Sequence, residues 1–186
     1  MALARSSSAL HWLYGKKAVS SLDLWSEEAD YLDRLRTAWN QTIEGEGGHC
    51  QCCGKWGKVY KIKLSQHLAL CLKWIIDHSS PTEPWVDVQN SAPRWMLKSK
   101  TYPLLEHWTL IESKGTRSGI WAATNRGIEF VSRGLQLPEA VYIYDNKRWG
   151  FDEKMVQFRQ CFGRHFDFDE LMSAQFNWAK LKKEQS

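Results

Sequence analysis

No apolar run in the 186-residue sequence approaches the ~20 residues that a helix needs to cross a bilayer, so no membrane partner is expected. A glycine-rich phosphate loop, a Walker A sequence and a Gly-x-Ser-x-Gly elbow are also missing, which removes common signatures of phosphate and acyl chemistry. Acids and histidines at a catalytic spacing are absent too. The carboxylates of 'FDFDE' at 166–170 fall at a helix start, where the macrodipole accounts for them. The chain therefore reads as non-enzymatic. Five cysteines make an odd count, and His11, Gly15 and Lys16 break the one N-terminal stretch that could serve as a secretory h-region. Free thiols and a cytoplasmic setting are expected.

What is present suits one domain with appended segments. Hydrophobic residues make up 43% and charged residues 25%, which is average for a globular chain and argues against disorder. Tryptophan is the oddity: eleven against seven phenylalanines, rings that must be buried or used for stacking. Trp56 and Trp149, on turns, are the rings expected to be exposed. The net charge of +4 and pI near 8.8 fall short of an outright nucleic-acid signature, but charge is unevenly spread. Residues 26–46 hold six acids against Arg34 and Arg36, whereas 55–73 hold Lys55, Lys58, Lys61, Lys63 and Lys73 with no acid.

Residues 1–25 read as a Ser-rich basic arm, and a helix is predicted from Ser26 as N-cap to 'GEGG' at 45–48. The knuckle at 49–54 leads into a strand through Lys63, and these elements group as 26–63. Leu64, Leu68, Cys71, Leu72, Ile75 and Ile76 mark an amphipathic helix ending before Pro81. After 'WVDV' come a brief helix capped by Asn90 and a second, 99–108, capped by Ser99. 'TLIES' and 'IWAA' read as strands around the turn 114–119, and Thr124 caps a helix with Ile128, Val131 and Leu135 inward. In 138–186, 'VYIYDNKRWGF' is a hairpin turning at Asp145-Asn146, and a final helix from Asp167 runs through Ala174, Trp178 and Leu181 to Lys180, Lys182 and Lys183.

That order predicts an α+β fold with a winged helix-turn-helix at 64–137. 'HWTLIES' and 'WAATNRGIEF' resemble the end of a MarR-type winged-helix domain, in which Thr-x-x-Gly opens the helix after the wing. More broadly, residues 44–172 resemble a group of small phage- and prophage-encoded proteins with a Cys-x-x-Cys-Gly knuckle, a basic strand, a winged helix and an aromatic hairpin. The resemblance implies a DNA-binding protein, with transcription regulation as its setting and the host cytoplasm or nucleoid as its location; it supplies no assigned chemistry.

Two sites follow. For duplex DNA, helix 99–108 would enter the major groove and wing 114–119 would lie along the backbone, contacts coming from Arg94, Lys98, Lys100, Thr101, Tyr102, Lys114 and Arg117, with Lys58, Lys61 and Lys63 extending the phosphate surface. For metal, Cys50-x-x-Cys53-Gly54 is half of a tetrahedral zinc site; further ligands are sought among His49, Cys52, Cys71, His67, Cys161 and His165, the other reading being a reduced, metal-free cluster. The alternative function is a protein-interaction module that inhibits a host enzyme or defence complex, using exposed Trp and acidic helix 26–44. A homodimer is left open.

Overall fold

A 24-residue helix, α1 (Ser21–Glu44), opens the part of the chain that the structure describes, a computed structural model covering the backbone of residues 21–116, 118–173, 176–179 and 181, with side chains from Glu28 onward. The first twenty residues of the arm, Arg117, Ala174, Lys180, Lys182 and Lys183 lie outside the described residues. Ser26 is inside α1 and not its cap, since 21–25 contain neither Gly nor Pro and simply continue the helix. At its end Gly47, in the left-handed region at φ 80°, donates its N–H to the Thr42 carbonyl at 3.0 Å. Strands β1 (Gly48–His49) and β2 (Trp56–Gly57) then pair antiparallel. A Cβ on Gly57 would stand 2.7 Å from the Trp39 ring, so glycine lets this hairpin lie on α1 beside the buried Ile43.

The chain divides into two compact units, 1–58 and 59–186. In the second, β3 (Tyr60–Lys63) leads to Ser65, whose hydroxyl accepts the Leu68 N–H and caps α2 (Gln66–Asp77). This helix departs from the amphipathic expectation: Leu68 through Ile75 are all buried. Even Lys73 is enclosed, and its ammonium meets the Asp77 carboxylate at 2.5 Å. Helix α2 is the centre of the unit.

Around it run β4 (Val86–Asp87), α3 (Val88–Ser91), α4 (Arg94–Ser99), a 3-10 helix (Tyr102–Trp108), β5 (Ile111–Ser113), β6 (Ile120–Ala123) and α5 (Asn125–Ser132). The three strands form an antiparallel sheet in the order β4-β6-β5. Two expectations are corrected here. Asp87 caps α3 by accepting the Asn90 N–H, so Asn90 is inside that helix. Ser99 ends α4: its hydroxyl donates to the Met96 carbonyl at 2.9 Å, Lys100 turns left-handed at φ 52°, and no α-helix spans 99–108.

Thr124 does cap α5, accepting the Gly127 N–H, while its own hydroxyl donates to the Thr109 carbonyl at 2.7 Å. Gly127 lies so close to the strand before it that a Cβ would sit 2.3 Å from the Leu110 carbonyl oxygen. Thr-x-x-Gly is therefore a clamp holding α5 to residues 109–110. Ile128, expected inward, is exposed; Phe130 and Val131 take the inner face, and the helix stops at Ser132, short of Leu135.

Strands β7 (Leu137–Pro138) and β10 (Met155–Val156) pair with each other, while β8 (Ala140–Tyr144) joins β3 and β9 (Lys147–Phe151) in the order β3-β8-β9. The basic strand thus belongs with the C-terminal hairpin. Asp145 and Asn146, at φ 47° and 60°, form its tight turn, and a bulge at Trp149 interrupts the ladder between Tyr142 and Ile143. The last helix, α6 (Phe168–Met172), is shorter than expected because Ser173 is extended. Trp74, Trp108 and Phe130 fill the core, Trp108 donating to the Pro138 carbonyl at 2.9 Å; Trp56 and Trp149 are exposed. Among the described residues no helix is long and apolar enough to cross a membrane.

Candidate functional site

Helix α4 places the first group of predicted cations. Met96 is wholly buried and fixes the rotation of the helix, which leaves Arg94 and Lys98 exposed, and Lys100 follows on the left-handed turn. None of the three takes part in an ion pair among the described residues, whereas Lys61 is held by Asp152 at 2.5 Å and Lys154 by Glu139 at 2.9 Å. The inner side of α4 is tied down. His67 and the Ser99 hydroxyl share a 2.8 Å hydrogen bond, the Trp95 ring meets His67 edge-on, and burial lowers the His67 pKa.

The next residues are partly committed to the fold. Thr101 donates its hydroxyl to Ser99 at 3.2 Å, and Tyr102 packs edge-on against Trp121, its pKa raised by burial. Along the 3-10 helix, Glu106 is exposed and His107 is half-buried, desolvation lowering the histidine's pKa. The 3-10 helix itself contributes no Lys or Arg side chain.

The hairpin between β5 and β6 supplies Lys114, exposed, with its ammonium 5.9 Å above the Trp85 ring. Gly119, at φ 69°, lets the hairpin base pass against Gln89, and its carbonyl accepts the Val88 N–H at 3.0 Å. Arg117 lies outside the described residues. Lys61 and Lys63 are exposed on β3, away from α4 in sequence and in a different sheet, and Lys58 is half-buried in the first unit. The structure therefore puts Arg94 at the start of one short helix, Lys98 and Lys100 at its end, and Lys61 and Lys63 on a separate strand. Arg148 was not singled out from the sequence. Its guanidinium donates to the His107 carbonyl at 3.0 Å and stacks 5.0 Å from the Phe151 ring, a long-range link with no local signal.

The cysteine knuckle is the loop of the β1–β2 hairpin. Cys50 donates its N–H to the Lys55 carbonyl at 2.9 Å, and Gly54, at φ 70°, donates to the Cys50 carbonyl at 2.8 Å. These bonds close the loop, and hydrogen bonding from the Cys53 and Cys52 backbone lowers the Cys50 thiol's pKa. His49 is hydrogen-bonded through Nδ1 to the Gly54 carbonyl at 2.8 Å. An apolar cleft of about 280 Å³, lined by Leu32, Leu35, Trp39 and Cys50 among others, lies between the loop and α1. Cys71 and Cys161 are in the second unit, where burial pushes each thiol up to about 12. Among the described residues no group of three or more His, Cys, Asp or Glu side chains is placed to hold a metal ion.

Comparison with protein-family models, with curated proteins and with solved structures finds no match to this chain.

Proposed function

We propose that residues 65–132 form a winged helix-turn-helix that holds duplex DNA chiefly by its phosphate backbone, as a non-enzymatic binding protein of the phage-encoded kind it resembles. The observation that carries this reading is the strand order β4-β6-β5, in which the short strand before the helices pairs with the returning arm of a hairpin. The left-handed Lys100 supplies the sharp turn between α4 and the 3-10 helix. Because Tyr102–Trp108 presents an exposed Glu106 and no cation, base readout by that segment gives way to phosphate contacts from Arg94, Lys98, Lys100 and, on the wing, Lys114.

Anisotropy of a labelled random duplex, followed across salt, tests this. The affinity of the parent should fall steeply with salt, by a slope of about 0.9 per neutralised phosphate. Replacing Arg94, Lys98 and Lys100 together by alanine should weaken binding roughly 100-fold at low salt, at ~1 kcal/mol per contact, and lower the slope by about three. A parent with no salt-dependent binding, or a triple variant that binds like it, overturns the reading. A protein partner would then lead, favoured by α1, whose Tyr31 and Leu32 are more than half exposed beside Asp30 and Asp33.

A further inference from the structure

We propose that the cysteine knuckle is a half-site for zinc completed by a second copy of this chain, Cys50 and Cys53 of two chains giving one ion four thiolates. The loop has the features such a site needs. Two sulfurs stand at the Cys-x-x-Cys spacing, a left-handed Gly54 closes the turn, and its N–H donates to the Cys50 carbonyl at 2.8 Å while the Cys50 N–H donates to the Lys55 carbonyl at 2.9 Å. His49, anchored through Nδ1 to Gly54, stiffens the same loop.

What the loop lacks is the other half. A structural zinc site takes four ligands, and among the described residues nothing brings a third to this pair. Three of the other candidates named from the sequence are occupied elsewhere. Cys71 is wholly enclosed in the hydrophobic core, Cys161 directs its thiol to the Gln157 carbonyl, and His67 is engaged by Ser99. The knuckle itself is open. Cys52, Cys53 and Gly54 are exposed at the tip of a two-strand hairpin, so a second knuckle can approach without unfolding either chain. A two-fold pair of such tips gives a closed, symmetric contact, and each thiol that binds releases its proton to solvent.

The test uses the full chain, purified without chelator and kept under a phosphine reductant, with zinc content and mass by sedimentation equilibrium measured on one sample. The expected result is one zinc per two chains and a mass twice the 21.7 kDa of the monomer, falling to monomer with a chelator and returning when zinc is restored. X-ray absorption of the loaded parent should give four sulfurs at about 2.3 Å. Cys50→Ser and Cys53→Ser should each abolish both zinc and dimer, while Cys52→Ser keeps both. Because a serine variant could lose the hairpin, the sulfur count on the parent carries equal weight. One zinc per monomeric chain, no zinc uptake, a dimer that survives the chelator, or loss of zinc in Cys52→Ser would each overturn the proposal. DNA binding does not enter any of these measurements.

Discussion

The two units hold together by different means. In 59–186 a helix buried on all sides is surrounded by small sheets and short helices, and Trp74, Trp108, Phe130 and Leu137 are almost fully enclosed. In the described part of 1–58 only Ile43 and Gly57 are buried, although that part contains the longest helix of the chain. Burial at about 25 cal/mol per Å² can stabilise the second unit by itself; a helix and a two-strand hairpin with one enclosed side chain cannot draw much from that source. Small units of this kind rely on a staple or a partner. The knuckle is in the unit whose described residues bury the least.

Substitutions in the two units should make that contrast measurable. Trp108→Ala removes a fully enclosed ring and leaves the Pro138 carbonyl without its donor, so a loss of about 3–5 kcal/mol is expected in urea unfolding followed by fluorescence. Ile43→Ala should cost less, about 2 kcal/mol, because its half-exposed surroundings can close over the gap; hydrogen exchange of 40–57 would register the change. An equal cost at both sites would remove the distinction between the units.

The smallest effect concerns the pair of exposed Lys61 on β3 and half-buried Asp152 just after β9. Lys61 holds the Asp152 carboxyl below its usual pKa, so this stabilisation is present above the ordinary carboxylate value and fades as pH falls through the depressed one. Lys61 is raised in turn by Asp152 and Tyr142, so its share is full below the ordinary lysine value and fades as pH rises through the folded one. Melting temperatures of the parent and Asp152→Asn should therefore differ slightly at neutral pH and converge in acid. A gap that is constant with pH would mean that the pair does not act through charge.

Much of the second unit was legible because local chemistry and packing agree. Thr124 caps the helix that its position suggests, and Asp145-Asn146 turns where two residues must take positive φ. The misreading at 99–108 has a specific cause. A serine hydroxyl can accept from the N–H groups that start a helix or donate to a carbonyl that ends one, and only the neighbouring fold selected the second role for Ser99. Pro103 falls near the start of that segment, which is a 3-10 helix between left-handed residues at Lys100 and Thr109, neither of them glycine. In the candidate site the cations were visible as letters, but their pairing was not. Nothing local marks Lys61 as held by Asp152 and Lys98 as unpaired, since that depends on which strands meet. The knuckle shows the reverse case. Its spacing was plain from the sequence, and the enclosure of Cys71 was decided by the core around α2.

The bulge at Trp149 has a consequence for solubility. In the order β3-β8-β9 the two outer strands each pair with a strand of this sheet on one side only, the kind of edge onto which another chain can add a strand and begin to aggregate. On β9 the extra residue kinks that edge, and Lys147 and Arg148 precede the kink. On β3 the guard is charge alone, with Lys61 and Lys63 at alternate positions of a four-residue strand. These lysines thus have a use that requires no nucleic acid. Neutralising both would open a flat edge, and beyond the small share of stability that the Lys61–Asp152 pair supplies, the cost would register in how concentrated the protein can be kept.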